Sequence, residues 1–446
     1  MSNIIKRLSI AQTIVLAYIF VITCGAILLW LPFSSASGEW TAFIDALFTA
    51  TSATAVTGQV TLNTAAHWNY FGKTVIIALI EIGGLGFMTI WIIFYYYILK
   101  HRPNLRQRRL VSESLSLSND GDKTQQKVSS IVRFALSVQL IGAILLSFVF
   151  IPEFGTIKGI YFSFFHSISA FCNAGFDLLG NSLIDYQNNP FILLVIAGLI
   201  MSGGLGFIVW GDLIDYRKNR KLSRYSKVVL TVTVSLWLLG TILFWFSEHK
   251  NGTFSHLPIG EQIVNYFFLS VTPRTAGYAN VDYANLSLSS LFLTIVFMFI
   301  GASSGSTGGG IKVTTLFVII LVIYRSINYN HSNVLNRKIS QDTIRRSFFI
   351  FSTGMLIASL ATFVLLNTET IPDGFGVEYI LIEVFSCIGT VGLTMGLTPS
   401  LTMIGKIILI LLMLIGRVGV MTFLWSLTNE KHEVGINYPE MNLLVG

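Results

Sequence analysis

Four short, apolar, Ser/Thr-rich segments each run into a single glycine: TSATAVTGQ at Gly58, SAFCNAGFD at Gly175, SVTPRTAGY at Gly277 and SCIGTVGLT at Gly392. The chemistry open to such segments lies in the backbone. A cation gives up its hydration shell only to a set of oxygens that replaces it, and a ring of carbonyls drawn from several loops does this. Glycine admits backbone angles that residues with a Cβ avoid, so consecutive carbonyls can be aimed at one axis. The oxygens expected to contribute belong to Val56, Thr57 and Gly58; Asn173, Ala174 and Gly175; Thr275, Ala276 and Gly277; and Thr390, Val391 and Gly392. One such loop alone would read as close helix packing. Four at a period of roughly 110 residues point to a cation pore folded from one polypeptide. Asn173 stands where repeats three and four carry Thr275 and Thr390, so the ring is chemically asymmetric.

The elements that must position these loops follow from spacing. Each loop is preceded by a short helical stretch (Phe43–Ala55, Ile160–Cys172, Gln262–Thr272 and Tyr379–Ile388), too short to cross a bilayer. About 25 residues after each loop glycine comes an apolar helix with a second small-residue cluster, at Gly83, Gly203, Gly301 and Gly416. Eight spans are expected, near Ile10–Leu31, Thr74–Leu99, Val128–Ile151, Phe191–Trp210, Val228–Phe246, Leu291–Tyr324 (interrupted), Phe348–Leu366 and Ile404–Leu424. The first has too long an apolar core for a removed signal peptide and is read as a retained helix. The unit is thus helix, half-helix, glycine loop, helix. Two crossings per unit leave all four in one orientation, and a pseudo-fourfold axis along the membrane normal closes them. The expected fold is an all-α polytopic membrane protein of four parallel repeats around one pore. Their boundaries are 1–104, 105–222, 223–338 with an interrupted second helix, and 339–428, followed by a cytoplasmic tail at 429–446. The half-helices aim their negative dipole ends at the axis, where they favour a cation.

Composition agrees. Hydrophobic residues make up 53% of the 446-residue chain and charged residues 11%, far from the soluble average. Of the 29 Lys and Arg, 21 lie in four segments: Lys6–Arg7, Lys100–Arg133, Arg217–Lys227 and Arg325–Arg346. Under eight spans these share one side, which the positive-inside rule makes cytoplasmic, together with both termini. The net charge of +7 is therefore a topology signal. No aromatic stacking platform accompanies the basic loops, which argues against nucleic acid. The three cysteines are far apart and the seven histidines scattered. No metal, paired-carboxylate or Ser/His/Asp constellation supports an enzyme, and no covalent cofactor is expected.

A second feature carries chemistry of another kind. In GASSGSTGGGIK, five of twelve residues are glycine: Gly301, Gly305, Gly308, Gly309 and Gly310. Each costs about 1 kcal/mol of helix propensity against alanine, so the sixth span is expected to break, and its loop to line the pore or be buried. Ser303, Ser304, Ser306 and Thr307 complete the loop, and Lys312 marks its cytoplasmic end. Arg417 lies inside the last span, where an arginine is costly and faces an interior. Glu81 is the one acidic residue inside the expected spans. With so few, a proton relay for coupled carriage is nearly absent.

The segments FIDALFTATSATAVTG, FHSISAFCNAGF, TPRTAGY and GTVGLTMGLTP, with IEIGGLGFMT, GASSGSTGGGIKVTT and IGRVGVMTF, resemble the pore loops and second helices of the Trk/Ktr/HKT superfamily of potassium transporters, most closely its Ktr branch. The likeness spans Ile10 to Ser426. It implies potassium uptake at the plasma membrane with K+ at the filter carbonyls, a homodimer, control by a cytosolic nucleotide-binding ring, and sodium as a possible activator. It also implies that residues 301–312 obstruct the path below the filter and that Arg417 faces the pore beside them. A sodium-preferring or cation-coupled secondary transporter of the same fold is the alternative.

Overall fold

The computed structural model describes residues 8–86, 124–327, 333–334 and 337–428. The continuation of the second span to Leu99, much of the basic segment from Lys100 to Arg133, and the tail from 429 lie outside the described residues.

The described chain is almost wholly helical. Four long helices lead the four units: α1 (Ile10–Trp30), α4 (Thr124–Phe154), α8 (Arg224–Glu248) and α12 (Gln341–Thr368). At 1.5 Å per residue, the 21 residues of α1 reach about 30 Å, the thickness of a hydrocarbon core. The outer faces of these four helices expose Phe20, Phe148, Phe246 and Phe363, a surface suited to lipid and not to water. The molecule is a multi-pass membrane protein.

Each long helix is followed by a shorter one: α2 (Phe43–Ala55), α5 (Thr156–Cys172), α9 (Ile259–Val271) and α13 (Glu378–Gly389). The first matches the sequence expectation. The second begins four residues earlier than expected, because Gly155 at φ +79° breaks from α4 immediately. Apart from a single turn at Thr64–His67, the remaining α-helices are α3 (Tyr70–Leu85), α6 (Pro190–Gly204), α7 (Phe207–Asn219), α10 (Leu288–Phe299), α11 (Val313–Ile327), α14 (Met403–Val418) and α15 (Val420–Leu427). Four of these starts are set by side-chain caps: Asn69, Asn189 (with Pro190 at the first turn), Ser287 and Thr402 each accept a backbone N–H of the turn they precede.

Packing runs in a cycle. Each short helix lies on its own long helix: α2 on α1, α5 on α4, α9 on α8 and α13 on α12. Each also packs on the second helix of the preceding unit: α5 on α3, α9 on α6, α13 on α10, and α2 on α14. The last contact joins the end of the chain to its beginning. Three second-helix glycines explain how close the approach is. A Cβ at Gly83 would collide with Thr54 O, at Gly203 with Phe171 O, and at Gly416 with Ile388 O. Gly301, expected to be the fourth of this set, instead meets Gly309 and Gly310 of its own loop.

Two expected spans are not straight. Phe191–Trp210 is broken at Gly206 (φ +88°), where α6 and α7 meet at 98°. Ile404–Leu424 is broken at Gly419 (φ +92°), with 105° between α14 and α15. Helix α3 stops at the corresponding Gly86 (φ +83°). A left-handed residue with extended ψ cannot continue an α-helix, so α3 ends at Gly86 and the chain turns aside at Gly206 and Gly419. Among the described residues, four helices are individually long and apolar enough to cross a membrane, and six spans result if each bent pair counts as one.

Buried carboxylates clamp the ends of the last two units. Glu248, at the end of α8, accepts from Ser287 N (3.0 Å) and Ser287 Oγ (2.6 Å), from Asn251 Nδ2 (3.0 Å) and from Thr253 Oγ1. Glu369 accepts from Thr402 N (2.9 Å) and Thr402 Oγ1 (2.5 Å) in the same way. Removing one partner strands several donors, so Glu248→Ala is expected to cost about 3 kcal/mol. Glu248→Gln should cost less, and thermal unfolding in detergent micelles would rank the two against the native chain.

Candidate functional site

The four glycine loops begin where the short helices end. Val56, Asn173 and Thr390 are left-handed C-caps with φ of 59°, 61° and 50°. In the third unit one further turn intervenes, and Thr275 takes that conformation at φ 77°. Two residues later come Gly58 (93°), Gly175 (68°), Gly277 (76°) and Gly392 (101°). Six non-glycine residues have positive φ among the described residues, and four of them are these caps. For valine and threonine this is a strained conformation, held only where the surroundings enforce it, and such strain collects at functional sites. Alternating the sign of φ undoes the alternation of an extended strand, so successive carbonyls can share a side.

The loops meet each other in order. A Cβ on Gly58 would collide with Ala174 O, on Gly175 with Ala276 O, on Gly277 with Val391 O, and on Gly392 with Thr57 O. The neighbours run from unit one to two, three, four and back to one. The twelve residues expected from sequence are thus brought together; ten of them are buried, and Gly58 and Gly392 are half-buried. A serine or threonine near the end of each short helix ties its loop. Ser52 Oγ accepts from Gly58 N (3.0 Å) and Ser386 Oγ from Gly392 N (2.9 Å). Ser169 Oγ and Thr272 Oγ1 instead donate to Phe176 O (2.8 Å) and Tyr278 O (2.5 Å).

The glycine-rich segment lies against the same ring. Its ends are pinned together by a bridge between Ile300 and Ile311, with Gly301 N on Ile311 O at 2.8 Å. The excursion between them touches units two, three and four. Ser303 N and Oγ donate to Gly204 O (3.1 and 2.9 Å), and Thr307 Oγ1 to Phe171 O (3.1 Å), in unit two. Phe207 N donates back to Gly305 O (2.8 Å), satisfying a donor at the start of α7. Gly309 N reaches Thr390 Oγ1 (3.1 Å) and Gly310 N reaches Gly416 O (3.2 Å), in unit four. Gly308 packs on Thr275, beneath the third loop. Ser306 Oγ closes on Ser303 O (2.6 Å), and Ser304 is held by Thr314 and by Tyr225 Oη (3.2 Å).

Two cations serve this segment. Lys312, at the end of the segment, turns its Nζ back to Gly308 O (2.7 Å) and Gly309 O (3.2 Å). Arg417 donates to Thr307 O, and on its other side to Gly83 O and to Gly84 O (3.2 Å). Helix breaks leave carbonyls without intrahelical donors, and one guanidinium with several N–H groups meets those of unit one and of the loop together. Glu81 is hydrogen-bonded between units: its Oε2 accepts from Gln139 Nε2 (2.9 Å) and Cys172 Sγ (3.3 Å).

Sequence reading missed the second glycine of each GxxG as the point where a helix turns. The signal was present, since GGLGF occurs at 83–87 and again at 203–207, and GRVGV stands at 416–420.

The TrkH family, described as cation transport protein, matches residues 5–431. The potassium/sodium uptake protein NtpJ of Enterococcus hirae is 48% identical over 99% of this chain and 98% of its own. The Ktr system potassium uptake protein B of Bacillus subtilis is 38% identical over 99% and 97%. The crystal structure of the potassium transporter TrkH from Vibrio parahaemolyticus has a TM-score of 0.74 at 19% identity, covering 93% of this chain and 83% of that one, a likeness of fold. The chain belongs to the TrkH family of cation transport proteins.

Proposed function

We infer that the protein takes up K+ across the plasma membrane through a pore along the axis of the four glycine loops, with the carbonyls of the twelve loop residues as the selectivity filter. The observation that carries this is the cyclic order of the loops: four left-handed caps and four glycines, each glycine packed on the next unit's carbonyl. The names of the relatives, potassium/sodium uptake and Ktr potassium uptake, support the substrate. In this reading eight spans form four parallel repeats with both termini cytoplasmic. The segment from Gly301 to Lys312, with Arg417, is the gate. A homodimer controlled by a cytosolic nucleotide-binding ring, and stimulation by sodium, are the further expectations for a Ktr-type system.

Sodium carriage is a second reading, favoured by the potassium/sodium uptake name of the 48% identical relative. Rubidium uptake into vesicles containing the purified protein separates the two. Saturable uptake that K+ suppresses at lower concentration than Na+ is expected. Equal or stronger suppression by Na+ would make sodium the substrate, and no uptake at all would remove the pore reading.

A further inference from the structure

Beside the ring, Glu383 sits fully buried on α13, nine residues before Gly392. Its Oε1 accepts from Thr394 Oγ1. Its Oε2 accepts from Thr398 Oγ1 (2.8 Å) and from Gln59 Nε2 (2.5 Å). Thr394 and Thr398 belong to the segment that leaves the fourth loop, whereas Gln59 directly follows Gly58 of the first. Gln59 is itself held on both sides, since its Nε2 lies 3.4 Å from Leu393 O and its Oε1 accepts from Cys387 Sγ at 2.6 Å. One carboxylate therefore fastens the outgoing strands of two adjacent loops to a single point on a short helix.

The seam between loops two and three is fastened differently. There Tyr278 Oη, in the position after Gly277, donates to Phe176 O at 3.0 Å, in the position after Gly175. The seam between loops one and two is linked further from its glycines, by Asn63 Nδ2 donating to Gly180 O at 2.8 Å, and the seams held by Tyr278 and by Glu383 lie opposite each other in the ring. The link between loops two and three is neutral, and the link between four and one is anchored by an ionisable group with three side-chain donors. Charge-assisted hydrogen bonds are shorter and stronger than neutral ones. A buried network with every member satisfied also fixes geometry more tightly than packing does.

We propose that Glu383 is a positioning residue for ion selection, which sets the separation of loops one and four through Gln59, Thr394 and Thr398. It does not touch the ion; it holds the backbone that does. Gly392 meets Thr57 O and Gly58 Cα across this seam, so any slackening there moves carbonyls of both loops together. A ring that widens or becomes mobile accommodates Na+ with its water more readily, and discrimination falls before transport does.

The inference rests on the reading of the ring as the filter, and the test separates the two. In vesicles containing the full chain, the ratio of K+ to Na+ needed to halve rubidium uptake is measured, a quantity independent of how much protein inserts. The native chain reports on the filter reading first, and a ratio showing no preference removes that reading. Glu383→Gln keeps the shape but presents an amide N–H2 to donors, and should lower the preference for K+ roughly tenfold, the loss of one charge-assisted bond. Gln59→Glu places two carboxylates together and should lower it likewise. The double exchange Gln59→Glu with Glu383→Gln returns one carboxylate and one amide to the same cluster and should recover most of the native ratio. An unchanged ratio in Glu383→Gln overturns the proposal. So does a double variant as poor as the product of the two single effects, because a merely structural role gives no reason for recovery.

Discussion

Gly277→Ser is expected to remove most of the preference for K+ over Na+ while leaving a protein that still inserts. Two costs act at this position. The backbone is left-handed, φ 76°, which a residue with a Cβ adopts at a cost of about 1–2 kcal/mol. The new Cβ would also collide with Val391 O, an oxygen of the next loop, and the neighbouring Gly392 Cα leaves it no room to move aside. Relief requires the two loops to part, and each 1.4 kcal/mol of lost discrimination is about tenfold in relative affinity. A fall of tenfold or more in the K+ to Na+ ratio is therefore expected, read from competition against rubidium uptake. Gly58→Ser, Gly175→Ser and Gly392→Ser repeat the arrangement at the other seams and should act in the same direction. Four serine variants with the native ratio would show that these loops do not select the ion.

This variant also shows how far the sequence carries. The four glycines, their order and the helix before each were legible, because a period of roughly 110 residues exposes a repeated unit even where the residues differ. The half-helix Phe43–Ala55 was legible to the residue, since an apolar Ser/Thr-rich run that short has few other uses beside a glycine. What stayed hidden depends on contacts between units. Val56 and Thr390 are β-branched residues whose own preference opposes a left-handed cap, and only the closed ring holds them there. The bends at Gly206 and Gly419 were invisible to a hydropathy reading, because the residues next to each turn, Leu205 and Phe207 and again Val418 and Val420, are apolar and the window averages through them. The contacts of Lys312 stayed hidden for a related reason. A lysine at the end of an apolar stretch reads as an anchor at the interface, and nothing local reveals that its ammonium folds back onto Gly308 O and Gly309 O. Glu383 is the clearest case, since its partner Gln59 is 324 residues away in the chain.

The largest gain of transport is expected from the segment under the ring. Deleting Ser303–Gly309 should raise rubidium flux and weaken its dependence on any cytosolic partner. The geometry makes this deletion mild for the fold. The bridge between Ile300 and Ile311, and the bond from Val313 N to Ala302 O, hold the ends of the segment side by side. A short join leaves α10 and α11 where they are. Arg417→Ala should act in the same direction for two reasons. It removes a positive charge that opposes a cation in the path, worth about 2–4 kcal/mol at a separation of a few ångströms and an effective dielectric of about 20. It also releases Thr307 O from Gly83 O and Gly84 O, which the guanidinium ties together. The two effects separate with Arg417→Lys, which keeps the charge but cannot span the three carbonyls, and Arg417→Gln, which keeps donors without charge. If charge is the barrier, flux rises on the order of tenfold or more in the alanine and glutamine variants and stays low in lysine. If the tie is the barrier, lysine rises as well. Unitary currents in planar bilayers would report either pattern directly. Correctly inserted protein lacking residues 303–309, with flux at or below the native level, would mean that the segment only braces the helix breaks around it and that ion passage is controlled elsewhere.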